Sequence, residues 1–101
     1  MRILVMFDLP VGTETERRDY RQFRKYLVKN GFLMLQESVY CKIAQNSTAA
    51  ESLIENVKKN KPAAGLVQVL KITEKQYSRM EYIVGEAKME VINNDERLII
   101  L

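Results

Sequence analysis

The sequence predicts an α+β fold in which two helices pack on one face of an antiparallel sheet. Stretches with the two-residue period of strands alternate with stretches of helical period, and each of the four glycines stands where such a stretch begins or ends. The chain has 101 residues, of which 47% are hydrophobic, which suits one domain with one modest core. We therefore expect a single domain rather than a multi-domain enzyme.

The first predicted element is a strand over residues 2–8. Ile3 and Val5 lie on one side of it, whereas Leu4 and Met6 lie on the other. A strand with apolar residues on both sides is expected to be central in the sheet and covered on both faces.

A capping pattern predicts where the first helix begins. Thr13 with Glu16 has the spacing of a capping box, and Phe23 and Leu27 belong to an apolar helical stripe. The helix is expected to end near residues 30–31, where an Asn-Gly pair stands. Residues 32–43 then alternate again, with a polar interruption at 36–38, so they form either one long strand or two short strands in a tight hairpin. Periodicity alone does not choose between the two.

The second helix is predicted from a similar pattern. Thr48 with Glu51 suggests another capping box, Leu53 and Val57 repeat at helical spacing, and Pro62 stops the helix. The apolar, β-branched residues that follow it predict another strand.

The last strand of the core is predicted at residues 66–72, which are apolar and β-branched. Thr73 with Gln76 is expected to cap a short helical segment that runs up to Gly85. Two short pieces follow at 88–92 and 97–101, separated by a polar turn.

With the hairpin, the order is β-α-β-β-α-β, which is the ferredoxin-like arrangement. We assign residues 1–85 to this core and residues 86–101 to a C-terminal strand extension. Two helices cover only one face of such a sheet, so the extension or a second copy should cover the other face. We expect a homodimer.

Composition excludes several kinds of chemistry. The chain has no histidine, which removes Ser-His-Asp, Cys-His and paired-histidine catalysis. Its one cysteine, Cys41, forms neither an intrachain disulfide nor a CxxC zinc site. The short apolar run at residues 3–7 is no signal peptide or membrane span, so the expected location is the cytoplasm. Any hydrolysis would depend on a divalent cation held by carboxylates, or on Lys, Arg and Tyr side chains.

Asp8 is the first candidate functional residue, because it emerges at the end of a buried strand before a Pro/Gly turn. One interpretation is an Asx-type cap of that turn. The other is a Mg²⁺ ligand, and a two-fold axis near Asp8 would supply a second carboxylate.

The first helix is the second candidate, because the cationic excess of the chain lies in its first half, with eight Lys and Arg against five Asp and Glu. It contains Arg17, Arg18, Arg21, Arg24, Lys25 and Lys29. These residues form either a solvated helix face or a stripe that neutralises phosphates without reading sequence. Neither a phosphate-binding glycine loop nor an RNA-recognition signature is present, so no nucleotide cofactor is expected.

Several segments, in order, resemble one known family. They are the strand at residues 3–8 that ends in Asp8, the pair Arg17-Arg18, Gly31, and Gln36-Glu-Ser-Val-Tyr40. Together they are similar to the second core CRISPR-associated protein, the small partner of the CRISPR integrase, and the tail from residue 77 looks most like type II forms.

The resemblance implies a homodimer whose C-terminal strand pairs with its partner, and a hairpin turn near residues 37–38. It also implies that Asp8 of both subunits shares one Mg²⁺, since the family is described as metal-dependent endonucleases acting on RNA or DNA. The better-established role is to bridge two integrase dimers that hold a double-stranded protospacer. Departures at Phe7, Tyr40 and Cys41-Lys42 affect expectations about activity rather than fold.

Three hypotheses result. The first is an adaptor for spacer acquisition that binds duplex DNA through Arg17, Arg18, Arg21 and Arg24 and has no chemistry of its own. The second is a nuclease with Asp8 as catalytic and metal-binding residue. The third, independent of the resemblance, is a small-ligand regulatory or toxin-like domain, because this fold serves many functions.

Overall fold

The computed structural model describes residues 1–86 of the chain. Its elements are β1 (Arg2–Asp8), α1 (Glu14–Lys29), β2 (Leu33–Gln36), β3 (Val39–Ile43), α2 (Ser47–Lys59), β4 (Leu66–Ile72) and α3 (Glu74–Ser78). The predicted β-α-β-β-α-β order is confirmed. The strands predicted at 88–92 and 97–101 lie outside the described residues.

The four strands form one antiparallel sheet in the order β2-β3-β1-β4, which is the ferredoxin-like arrangement. As predicted, β1 is central, and it pairs with β4 along its whole length, from Arg2 opposite Ile72 to Asp8 opposite Leu66. Residues 32–43 form a hairpin rather than one long strand. Ser38 in its turn has a φ of 65°, the left-handed conformation that tight hairpin turns require.

The two edges of the sheet differ. β2 has four residues, and its pairing with β3 shifts register between Met34 and Gln36, as at a β-bulge. β4 has seven residues and keeps an uninterrupted register with β1. One edge is therefore short and irregular, and the other is long and regular.

The hydrophobic core lies between the sheet and the helices α1 and α2. Phe7 is at its centre, with its ring centroid 5.2 Å from that of Phe23 and 5.8 Å from that of Tyr40. The other buried members are Ile3, Val5, Leu9, Leu27, Phe32, Ala44, Ala50 and Val57. Offset and edge-on contacts of this kind add to the stabilisation from apolar burial. The core thus fixes the end of β1 that leads into Asp8.

The opposite side of the sheet, which we call the open face, is covered only in part by residues 1–86. Residues that are paired across strands share a face, so Leu4 lies beside Cys41 and Leu70 on this side. Leu4 and Cys41 are buried, which confirms that this part of β1 is covered on both faces, whereas Leu70 is half exposed. Leu33, Ile43 and Leu66 occupy the same face and are about half exposed as well.

The predicted caps are right at two helices and wrong at one. Both hydrogen bonds of the Thr13–Glu16 capping box are present at α1, and those of the Thr73–Gln76 box are present at α3. The predicted cap of α2 at Thr48 is wrong, because Asn46 occupies the N-cap and its Oδ1 accepts from the Ala49 amide at 2.8 Å. Asparagine two residues earlier is at least as good a cap, so the helix begins there.

The third helix is shorter than predicted, since α3 ends at Ser78 and does not reach Gly85. Ile83 and Val84 are 87% and 92% exposed, so a longer helix would not bury its apolar residues within residues 1–86. No helix in this part of the chain is both long enough and apolar enough to span a membrane.

Candidate functional site

Asp8 is the last residue of β1 and lies exposed on the open face, opposite Leu66 of β4. Within residues 1–86 its carboxylate makes neither a hydrogen bond nor an ion pair. The Asx-cap interpretation requires a bond from this carboxylate to the backbone of the turn, and the structure has none there. The carboxylate is therefore available to a ligand or to a second chain.

Gly65 allows the loop before β4 to lie against the end of β1. Its φ is +99°, and a Cβ at this position would lie 2.8 Å from Leu9 Cδ2 and 2.9 Å from the carbonyl oxygen of Asp8. Only glycine combines this backbone conformation with so close an approach. The position of Asp8 thus depends on the loop as well as on the core beneath Phe7.

Asp8 offers a metal ion one carboxylate. No group of three or more Asp, Glu, Cys or His residues gathers anywhere in residues 1–86. Oxygen ligands are nevertheless what Mg²⁺ prefers, and it commonly takes one or two carboxylates while keeping waters and phosphate oxygens as its other ligands. Asp8 fits that role chemically, as one ligand of a site that residues 1–86 do not complete by themselves.

Three of the four predicted phosphate-binding arginines have partners within the chain. Arg17 donates to the Val11 carbonyl at 3.1 Å and pairs with Glu14 at 3.2 Å, so it holds the loop after β1. Arg21 lies 3.8 Å from the other oxygen of the same Glu14.

Arg24 and Arg18 differ most in how far their side chains are engaged within residues 1–86. The Nε of Arg24 donates to the buried hydroxyl of Tyr40 at 2.9 Å, which ties α1 to β3. Arg18 is exposed, and no residue among 1–86 bonds to it. The predicted stripe is therefore present on α1, but its members differ in how freely they can reach a phosphate.

A polar cleft of about 220 Å³ lies between α1 and the loop that follows α2. Asp19, Tyr26, Asn60 and Lys61 are among its lining residues. Burial raises the pKa of the Tyr26 hydroxyl, while a hydrogen bond with Asn60 opposes that rise. None of the predicted site residues lines this cleft.

Sequence reasoning missed Arg2, the first residue of β1. Its side chain is on the open face, where Nε and Nη2 bind the two oxygens of Glu74 at 3.1 and 2.9 Å. Its guanidinium carbon lies 3.8 Å from the ring centroid of Tyr77, and Nη1 lies 3.8 Å from the Sγ of Cys41. We call these four residues the Arg2 clamp.

The clamp alters the ionisation of both charged partners. The hydrogen bond to Glu74 raises the pKa of Arg2 above its ordinary value despite burial, and the same bond lowers the pKa of Glu74. Because α3 contains Glu74 and Tyr77, the clamp holds this helix on the open face. No local pattern could have revealed it, since Glu74 is 72 residues away from Arg2 in the sequence.

These features define a small ferredoxin-like protein with a basic outer helix and an exposed carboxylate at the end of its central strand. Residues 1–80 match the family described as CRISPR associated protein Cas2. A protein of Treponema denticola named CRISPR-associated endoribonuclease Cas2 is 54% identical over the full length of both chains. A Streptococcus mutans protein of the same name is 45% identical over all of this chain and 93% of its own. This chain belongs to the Cas2 family.

A solved structure supports the fold. The crystal structure of Streptococcus pyogenes Cas2 at pH 6.5 superposes with a TM-score of 0.61, covering 83% of this chain and all of the other. The two sequences are only 16% identical over that alignment, so the similarity concerns the fold alone.

Proposed function

We propose that this Cas2 chain acts in spacer acquisition, as a homodimer that bridges two integrase dimers and binds the protospacer duplex through its phosphates. The observation that carries the proposal is the basic outer side of α1. Arg18, Arg21, Lys25 and Lys29 are exposed there, while Phe23 anchors the opposite side of the helix in the core. Such a surface attracts a phosphate backbone without reading bases, which suits a protein that must accept protospacers of any sequence.

The open face supports the dimer part of the proposal. Leu33, Ile43, Leu66 and Leu70 are large apolar residues on one side of a sheet, and each is about half exposed. A second copy related by a two-fold axis would bury the same residues from both chains. The C-terminal extension, residues 86–101, is proposed to pair with the partner copy or to dock the integrase.

A second candidate function, Mg²⁺-dependent cleavage of RNA or DNA, is favoured by the exposed carboxylate of Asp8, which has no bonding partner within residues 1–86. The Treponema denticola and Streptococcus mutans relatives are named endoribonucleases. In a dimer, two Asp8 carboxylates would hold one ion, which would polarise the phosphodiester and lower the pKa of an attacking water. The single candidate carboxylate in residues 1–86 and the absence of histidine from the sequence make this the less supported function.

Spacer acquisition in cells tests the two functions against each other. The variants are Asp8→Ala and the matched control Glu37→Ala, which removes another exposed carboxylate, in the hairpin turn. If the protein is an adaptor, cells with either variant should still acquire spacers. Co-purification verifies that the dimer and the integrase complex stay intact. Loss of acquisition in Asp8→Ala alone, with the complex intact, would instead assign Asp8 and its metal to the mechanism.

Docking of the integrase is tested by truncation. Removing residues 96–101 deletes the apolar end of the extension, Leu98-Ile-Ile-Leu101, and should abolish co-purification with the integrase. A truncated chain that still co-purifies with the integrase at wild-type yield would show that docking depends on other residues.

A further inference from the structure

On the open face, the two ends of β1 carry opposite charges, and α3 covers one of them while the other is exposed within residues 1–86. Arg2 and Asp8 are six positions apart in β1, so both side chains are on this face, about 20 Å apart along the strand. The Arg2 clamp holds α3 over one end. At the other end, Asp8 remains exposed and its neighbour Leu66 half exposed within the described part of the chain.

The clamp is built to hold α3 firmly. Arg2 is only 7% exposed, and its guanidinium binds both oxygens of Glu74 in the bidentate geometry that gives strong ion pairs. The same group lies over the ring of Tyr77, which adds a cation–π contact. Loss of Glu74 would remove the bidentate ion pair described here, at a position where burial makes the loss of a charged partner costly for Arg2.

Apolar contacts between two sheets do not fix their register by themselves, because the hydrophobic effect has no preferred direction. Leu4 and Leu70 continue the apolar surface from the Asp8 end toward the clamp. Two copies without α3 on this face could therefore slide along β1 and still bury apolar surface. Besides any strand pairing by the C-terminal extension, a feature of the face itself is needed to select one arrangement.

We propose that Arg2 is a positioning residue of the dimer. By clamping α3 over its own end of the open face, it leaves the Asp8 end as the uncovered part of that face within residues 1–86, and so brings the two Asp8 carboxylates of a dimer together. This inference rests on the dimer proposed above and identifies the residue that sets its register.

Cross-linking measures that register directly. Asp8→Cys places a thiol at the exposed end of β1, and a short bifunctional maleimide joins two such thiols only when they meet across the dimer. The parent chain gives the background, since its one cysteine, Cys41, is buried. Arg2→Met is then added to remove the charge while keeping a long side chain. Lys58→Met is the matched control, because Lys58 forms an ion pair of the same 2.9 Å length with Glu55 on the exposed surface of α2.

We expect Arg2→Met to slow cross-linking about tenfold or more, since hydrogen bonds to charged groups are the strong ones, and Lys58→Met to leave the rate unchanged. Sedimentation should still show dimers. Amide hydrogen exchange at Tyr77 and Met80, whose N–H groups donate within α3 and just after it, should rise in Arg2→Met while β1 stays protected. Glu74→Gln, which keeps the size of the side chain, should give the same changes at smaller amplitude.

Three results would overturn the role of Arg2, and a fourth would overturn the dimer on which that role rests. Unchanged exchange at Tyr77 and Met80 would mean that Arg2 does not hold α3. Released α3 with unchanged cross-linking would mean that the clamp does not set the register. A dimer that fails to cross-link through Asp8→Cys even with Arg2 intact would refute the pairing of the Asp8 carboxylates, and the role of Arg2 with it. A chain that forms no dimer at all would refute the proposed dimer itself.

Discussion

Gly65→Ala is the substitution for which the structure gives the clearest magnitude. The residue has a φ of +99°, and a conformation of this kind costs a residue with a Cβ about 1–2 kcal/mol. The new methyl group would also lie 2.8 Å from Leu9 Cδ2 and 2.9 Å from the Asp8 carbonyl oxygen. Overpacking of this severity costs about 1–3 kcal/mol. The expected loss is therefore about 2–5 kcal/mol, a large part of the total stability of a small domain.

Chemical denaturation measures this loss, and Gly85→Ala provides the control. Gly85 has a similar φ of +92°, but a Cβ there would meet no atom of residues 1–86 within 4 Å. The difference between the two variants isolates the contribution of the close approach from that of backbone strain. A Gly65→Ala protein no less stable than Gly85→Ala would refute the argument that packing against the end of β1 requires glycine.

The remaining predictions concern one arginine, one ion pair and one helix cap. Arg18→Ala should reduce the slope of log affinity for duplex DNA against log salt by about 0.9, as expected for the loss of one phosphate contact, and an unchanged slope would exclude that contact. The pKa of Glu74 is lowered in the folded chain, so its ion pair stabilises the fold above the ordinary pKa of Glu, and this stabilisation is lost as the pH falls through the pKa of the folded state. Glu74→Gln should therefore make the stability of the protein depend less on acid pH, as measured by denaturation midpoints over a pH series. Asn46→Ala should cost about 1 kcal/mol in thermal unfolding, while Thr48→Ala should change stability by less than about 0.5 kcal/mol; the reverse order would restore the predicted cap.

Local patterns were enough to predict most of the fold. The alternation in β1 identified a central strand, and two capping boxes located the starts of α1 and α3 correctly. The cap of α2 was misassigned because Asn46 and Thr48 are both plausible caps, and the choice depends on how the chain leaves β3. The end of α3 was misplaced because apolar spacing continues past Ser78 without any core to receive it.

The parts of the candidate site that belong to a single stretch of sequence could be predicted. The contacts between residues that are far apart in the sequence could not. Asp8 is exposed at the end of β1, as its position after an apolar run indicated. The engagement of Arg24 with Tyr40 and of Arg2 with Glu74 could not be predicted, since tertiary packing alone brings those partners together. The helical row of arginines therefore predicted more residues available to phosphates than α1 offers in the structure.

The difference between the two sheet edges has a consequence for solubility. An exposed strand edge is a template for adding further strands, and chains that can add strands at both edges assemble without limit. The register shift in β2 disrupts that template at one edge, whereas the regular β4 preserves it at the other. Among residues 1–86, regular strand addition is therefore favoured only at the β4 edge, and two chains that paired there about a two-fold axis would leave no further regular edge to extend.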